Sequence, residues 1–354
     1  ALDLFPRQSW KTTLARSMLD ANSIEMGYGP VEGLPRLRRV IAEYITRTRG
    51  LPLAPDRLVV TVGAAQAVDL TLRTLAPLAQ MAIEEPGAEP VQRLAHLYNI
   101  PLQPIPVDEN GMQVELLQSL PQPPALVHVV PSHQYPTGWA MSLERRKQLL
   151  EWASRHGSVI MEDDYDSEFR FDRLPPIALA ALDQTQQVVY IGTFSKTIFP
   201  GLRLGFCLLP ERFIGKFLDL KWFSDRCVPV LEQLTLASWL ESGLFERHVR
   251  KMRHVYAERR EYLLSALRKH FGSSCEVLGL PAGMHIYVRF DLGLNESELQ
   301  NKALDAGVKV YPASVCYQNP PAYPPAVILG YGHLTHGTIE RGVSLLAQAW
   351  RSQG

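Results

Sequence analysis

Residues 188–209 read VVYIGTFSKTIFPGLRLGFCLL. Two apolar runs, VVYIGT at 188–193 and GFCLL at 205–209, have the length and the β-branched and aromatic content of buried strands. The interval between them holds Ser195, Lys196, Thr197, Pro200, Gly201 and Arg203. In open α/β sheets ligands gather at the carboxyl ends of strands, so this interval is the first place to look for chemistry. A lone lysine is ordinarily a solvated surface amine. Directly after a buried strand it is placed over the cleft instead, where partial desolvation and a cation such as Arg203 favour a nucleophilic amine.

Working outward, the same pattern of short apolar runs recurs as LVVTV at 58–62, MAIEE at 81–85, LVHVV at 126–130 and VIMED at 159–163. Several are apolar on both faces, and helical stretches such as Ala64–Leu78 and Leu143–His156 separate them. That predicts a mainly parallel sheet with helices on both sides. Apolar positions at Leu34, Leu37, Ile41, Tyr44 and Ile45 predict an amphipathic helix over Leu34–Arg49. Residues 211–270 read as helical, with a long polar-rich helix near Phe245–Arg268. A strand at His285–Phe290, a helix near Ser297–Ala306 and a strand at Ala326–Tyr331 complete a smaller α+β lobe. The expected division is an N-terminal arm over 1–25, a large domain over 26–240 and a small C-terminal domain over 241–354.

At 354 residues two lobes are a better expectation than one core. With 36 basic and 36 acidic side chains the formal charge is zero, so the chain lacks the basic footprint of a nucleic-acid-binding surface. Cys207, Cys227, Cys275 and Cys316 form no CxxC pair and read as core thiols of a reducing cytoplasm, without disulfide or zinc. No apolar run approaches the ~18 residues needed to span a bilayer, so a soluble, cytoplasmic protein with no membrane partner is expected. The opening, ALDLFPRQSW, has no initiator Met and reads as the rear part of a longer polypeptide.

Three further clusters follow strands. Gly63-Ala64-Ala65-Gln66 opens a helix with small residues whose N–H groups are open to an anion, although a tight strand-to-helix turn reads equally well. Pro131-Ser132-His133-Gln134-Tyr135-Pro136-Thr137-Gly138 is an irregular loop fixed by two prolines and a glycine; His133 reads as an ordinary loop histidine. Glu162-Asp163-Asp164-Tyr165-Asp166 crowds acids after an apolar strand, either as a solvated loop or as a partner for a cationic ring nitrogen.

Together these clusters resemble the fold-type I aminotransferases, and more closely the aminotransferase-like effector domain of MocR/GabR-type bacterial transcription regulators. The resemblance runs through MGYGPVEGLPRLRRVIAEYITRTRGL, PSHQYPTG, EDDYDSEFRF, GTFSKTIFPGLRLGF and PAGMHIYVRF, essentially the whole chain. It implies the α/β fold of type I PLP-dependent transferases: a large domain with a mainly parallel, seven-stranded-type sheet plus a smaller α+β C-terminal domain. It further implies pyridoxal 5'-phosphate as cofactor, with Lys196 as the Schiff-base lysine, Asp163 as partner of the pyridine nitrogen and Tyr165 near the ring oxygen. Thr193, Ser195, Arg203 and the amides of Ala64 and Ala65 would hold the phosphate, and Tyr135 joins the cofactor contacts. Tyr28 resembles the tyrosine that reaches the phosphate of the neighbouring subunit, which implies a homodimer.

Two positions depart from that pattern. Ala88 stands where an aromatic normally stacks on the cofactor ring, and Ile328 where an arginine normally pairs with the substrate carboxylate. His285, Arg289, His333 and His336 are the candidate substitute cations. The resemblance therefore implies the effector-sensing domain of a MocR-type regulator of the GntR family. Its effector would be PLP, a B6 vitamer or an amino compound, and DNA would be contacted only through a helix-turn-helix domain preceding Ala1. A free-standing PLP-dependent aminotransferase acting on an amino acid is the alternative; a dimeric scaffold that does not use PLP is a third, weaker reading.

Overall fold

The computed structural model describes residues 2–172, 176–321 and 324–351. The large sheet is built from β1 (Leu58–Thr61), β2 (Met81–Glu85), β3 (Leu102–Asp108), β4 (Gly111–Met112), β5 (Leu126–Val129), β6 (Val159–Asp164), β7 (Val188–Thr193) and β8 (Gly205–Leu208), in the order β1-β8-β7-β6-β5-β2-β3-β4. The pairs from β3 through β2, β5 and β6 to β7 are parallel, while β8 runs antiparallel to both β7 and β1. The expected parallel core is present, with an eighth strand beyond the seven anticipated. The sequence reading passed over β3 because Pro104 and Pro106 break its strand signature; only β2 and the two-residue β4 flank it.

Helices cover both faces. On one side α1 (Arg7–Asp20), α2 (Pro35–Arg49) and, further along the chain, α8 (Val230–Glu241) pack a core with Leu37, Ile41, Val60, Phe206 and Trp239. On the other, α3 (Gly63–Leu75), α4 (Glu89–Leu97) and α7 (Glu211–Ser224) bury Leu70, Ile83, Met161, Ile191 and Phe217. A third cluster joins α5 (Leu143–His156) to the sheet through Leu149 and Trp152, next to the short α6 (Leu179–Leu182). Residues 1–25, expected as an arm, contain a 14-residue helix held down by Trp10, whose ring meets Trp239 at 4.9 Å.

The helix α9 (Leu244–Phe271) serves two cores. Phe245 and Val249 pack in the first cluster, whereas Met252, Tyr256, Leu263 and Phe271 pack in the C-terminal one. That second core lies under an antiparallel sheet of β9 (Cys275–Leu278), β10 (His285–Phe290), β11 (Tyr311–Pro312) and β12 (Ala326–Gly330), in the order β11-β12-β10-β9. Helices α10 (Glu296–Asp305) and α11 (His336–Arg351) complete it. Asn295 and Glu298 form a reciprocal capping box that fixes the start of α10. Among the described residues no helix is long and apolar enough to cross a membrane.

Candidate functional site

Strand register brings the singled-out segments to one edge. Asp163 on β6 lies opposite Ile191 on β7, and Thr193 on β7 lies opposite Gly205, which in turn faces Thr61 on β1. The loops that leave these ends surround a cavity of about 850 Å³ between the large sheet, α9 and the small lobe. Lys196, Asp163, Tyr165, Ser195 and Tyr135 all line it.

Asp163 carries a buried Oδ1 with no hydrogen-bond partner, and its Oδ2 is 3.9 Å from the buried His128 Nε2, itself unpartnered. Next to them Glu84 Oε2 accepts the Val130 N–H at 3.1 Å and the Gln134 amide at 3.3 Å, while its Oε1 has no partner. Burial pushes the Glu84 carboxyl up to about 8, with the neighbouring Asp163 adding to the effect. Neither Glu84 nor His128 was singled out in the sequence, because each is embedded in an apolar strand and reads as part of it.

The loop 131–138 is held from both sides. Arg49 at the end of α2 donates Nε to Asp164 Oδ2 at 2.7 Å and Nη2 to Ser132 Oγ at 2.6 Å, and Tyr190 donates its hydroxyl to the same Asp164 oxygen at 2.5 Å. Gln134 donates to Pro86 O at 2.7 Å, tying this loop to the segment that carries Ala88. His133 is buried rather than an ordinary loop histidine. Its Nδ1 lies 3.0 Å from both Asp166 oxygens and 3.1 Å from the Tyr165 hydroxyl. The Tyr135 ring packs 5.1 Å from His285 and edge-on to Tyr165 at 6.3 Å, and burial pushes its phenol up to about 12.

A second group of polar donors lies beside the cavity, next to Ser195. Helix α3 starts at Gly63 without any side-chain cap, so its first N–H groups, including those of Ala64 and Ala65, keep the anion-binding potential of an open helix N-terminus. Arg203, held at φ +52°, donates Nη2 to Val62 O at 3.1 Å, directly under this terminus. Ser195 Oγ is buried with no partner. Thr193 does not line the cavity; its hydroxyl spans Leu204 O at 3.4 Å and the Ser195 N–H at 3.2 Å, shaping the loop. Tyr28 is not brought to this site. It is exposed, with the Arg226 guanidinium 4.0 Å above its ring.

Ala88 and Ile328 both line the cavity. Of the candidate substitute cations, His285 and His333 line it as well, but burial pushes the His285 imidazole down to about 3, so it is neutral at neutral pH. Arg289 pairs outside with Glu276 at 3.4 Å, and His336 stacks on Tyr262 at 4.6 Å.

The profile of aminotransferase class I and II matches residues 2–342. This chain belongs to the aminotransferase class I and II family. Within it, the chain is 33% identical to the HTH-type transcriptional regulator YdeL of Bacillus subtilis, over 98% of this chain and 74% of that protein. It is 34% identical to the probable rhizopine catabolism regulatory protein MocR of Rhizobium meliloti, over 98% of this chain and 70% of that protein. The solved α-aminoadipate aminotransferase LysN of Thermus thermophilus, in complex with N-(5'-phosphopyridoxyl)-L-leucine, superposes with a TM-score of 0.90 at 27% identity, covering 99% of this chain and 90% of that one. The fold is thus that of the PLP-dependent aminotransferases; identities run from 26% to 34% among the HTH-type and MocR regulators and from 26% to 28% for the two aminotransferases.

The residues present fit pyridoxal 5'-phosphate. Lys196 offers an amine for its aldehyde. The unpartnered Asp163 Oδ1 suits a ring N–H, and the uncapped α3 terminus with Arg203 and the unpartnered Ser195 Oγ suits a phosphate.

Proposed function

We propose that this chain is the PLP-binding, effector-sensing domain of a MocR-type transcription regulator of the GntR family. It works as a cytoplasmic homodimer, and DNA is contacted by a helix-turn-helix domain outside the chain. The observation that carries this reading is a cavity that gathers Lys196, Asp163, Tyr165, Ser195 and Tyr135 while Ile328 and Ala88 occupy its walls. Bound PLP would supply an aldehyde and an electron-withdrawing ring. Lys196 would be the residue that holds that aldehyde, Asp163 would face the ring nitrogen as its carboxylate partner, and Tyr165 and Tyr135 would stand beside the ring. Arg203, Ser195 and the amides of Ala64 and Ala65 grip the phosphate, with Thr193 setting the shape of their loop. Tyr28 reaches the phosphate of the other subunit.

Transamination requires a substrate whose Cα–H bond is held in line with the ring, and a cation on the α-carboxylate normally provides that orientation. Ile328 offers none, which costs roughly 2–5 kcal/mol of binding or rate. Ala88 leaves out a ring stack worth about 0.5–1.5 kcal/mol, so the cofactor or a vitamer of it exchanges and can itself be the signal. The competing reading, an aminotransferase, draws on the same intact lysine, aspartate and arginine. Single-turnover spectroscopy separates the two: the PLP-loaded protein, mixed with alanine, glutamate, aspartate or 4-aminobutyrate, should not convert to the pyridoxamine form. Rapid and complete conversion with any of them would reject the sensor reading.

A further inference from the structure

The part of the cavity contributed by α9 and the small lobe includes Met252, Tyr256, Met284, Tyr311, Val315 and Ile328, interspersed with His248, His285 and His333. Its surface is largely apolar and aromatic, and the charges around the cavity are unbalanced. Among the described lining residues Lys196 is the sole lysine or arginine, against three carboxyl side chains, Glu89, Asp163 and Asp166. Burial lowers both His248 and His285, so neither adds a cation at neutral pH. Three arginines of the adjoining elements make contacts away from the cavity. Arg253 donates Nε to Glu168 O at 3.0 Å, Arg259 donates Nη1 to Gly332 O at 2.6 Å, and Arg289 faces Glu276. With Lys196 engaged by a cofactor, a carboxylate entering this chamber would lose its water and meet no lysine or arginine among the described lining residues, the imidazole of His333 being the one remaining basic group beside the lowered His248 and His285. An ammonium approaching from solvent meets the opposite situation, since Glu89 stands among the lining residues with its carboxylate held only by the exposed Arg93.

Building on the sensor reading, we propose that the effector of this chamber is a primary amine without a carboxylate, carrying an apolar or aromatic body. The chain thereby discriminates amines from the amino acids that share their side chains. The apolar body removes the surface of Met252, Met284, Val315 and Ile328 from water, which supplies affinity without any directional partner. Discrimination comes from the desolvation cost imposed on the carboxylate of the competing amino acid.

The test uses matched pairs that differ only by that carboxylate. The full chain, loaded with PLP and checked by its visible band, is titrated by calorimetry with phenethylamine and phenylalanine, and with ethylamine and alanine. Each amine should bind at least about tenfold more tightly than its amino acid. The Ile328→Arg variant, which places a guanidinium in the apolar wall, should reverse the order within each pair. Amino acids that bind the wild-type protein as tightly as their amines would overturn the proposal, as would an unchanged preference in a folded, PLP-loaded Ile328→Arg protein. Failure of the sensor reading is distinguishable: conversion of the cofactor to its pyridoxamine form by phenethylamine would reject a purely sensing role while supporting the ligand class.

Discussion

Glu84, buried beside Asp163, contributes its own pH dependence to the stability of the fold. Its ordinary value is 4.5 and burial raises it to about 8, so its contribution to stability is fully present below about pH 4.5 and is lost as pH rises through about 8. The span corresponds to a few kcal/mol, since each unit is about 1.4 kcal/mol. Replacing Glu84 with Gln keeps an acceptor for the Val130 N–H while removing the charge. Thermal melts of the two proteins should therefore diverge between pH 5 and pH 8.5, the variant gaining relative to the wild type at the upper end. Parallel melting curves across that range would show that Glu84 does not titrate there. At this scale the sequence was informative about side chains at or just beyond strand ends, Asp163, Tyr165, Ser195 and Lys196. It was silent about those inside strands, Glu84 and His128, because their chemistry depends on the neighbouring strands and no local pattern encodes pairing across a parallel sheet.

At the scale of elements, the strand-loop-strand from β7 to β8 and the turn into α3 act as one unit. Gly63 sits at φ +73°, and a Cβ there would lie 2.7 Å from Arg203 Nη2. Gly205 is equally constrained, because its Cβ would lie 2.9 Å from the Ala64 amide nitrogen. Gly63→Ala should displace the guanidinium and cost strain of about 1 kcal/mol, lowering PLP affinity by about tenfold or more with the secondary structure intact. Gly215→Ala, in α7 with nothing near the new methyl, is the control: it should leave PLP affinity unchanged and raise stability by about 0.5–1 kcal/mol. Equal PLP affinity in the wild type and Gly63→Ala, measured by equilibrium titration, would dissociate this turn from the phosphate. Elements with strong periodicity were legible to within a few residues, α5 and β10 to the residue. The proline-broken β3, the two-residue β4 and β11, and the short β9 were not, since each is defined by its partner strand more than by its own residues.

At the scale of the molecule, two cores share α9, and the cavity lies where they meet. Apolar side chains left exposed at and beyond the end of α1 and at the end of α7, among them Leu19, Ile24, Tyr28 and Phe223, together with the Tyr28, Arg226 and Trp222 stack, suit a face covered by a second copy. Sedimentation at micromolar concentration should give a dimer, and Tyr28→Ala should retain the dimer while holding PLP more weakly. A monomer that binds PLP fully would contradict the role given to Tyr28. The two-lobe α/β plan was legible because it follows from the order of strands and helices. The expectation that Tyr28 meets a second subunit came only from resemblance, since an exposed tyrosine carries no signal of its own.

The central claim, that Lys196 holds PLP in the cavity between the lobes, is tested most directly by borohydride reduction of the PLP-treated protein followed by peptide mass spectrometry. The phosphopyridoxyl group should be found on the peptide containing Lys196 and be absent from Lys196→Ala. A group on another lysine, or none on a folded wild-type protein saturated with PLP, would contradict the account.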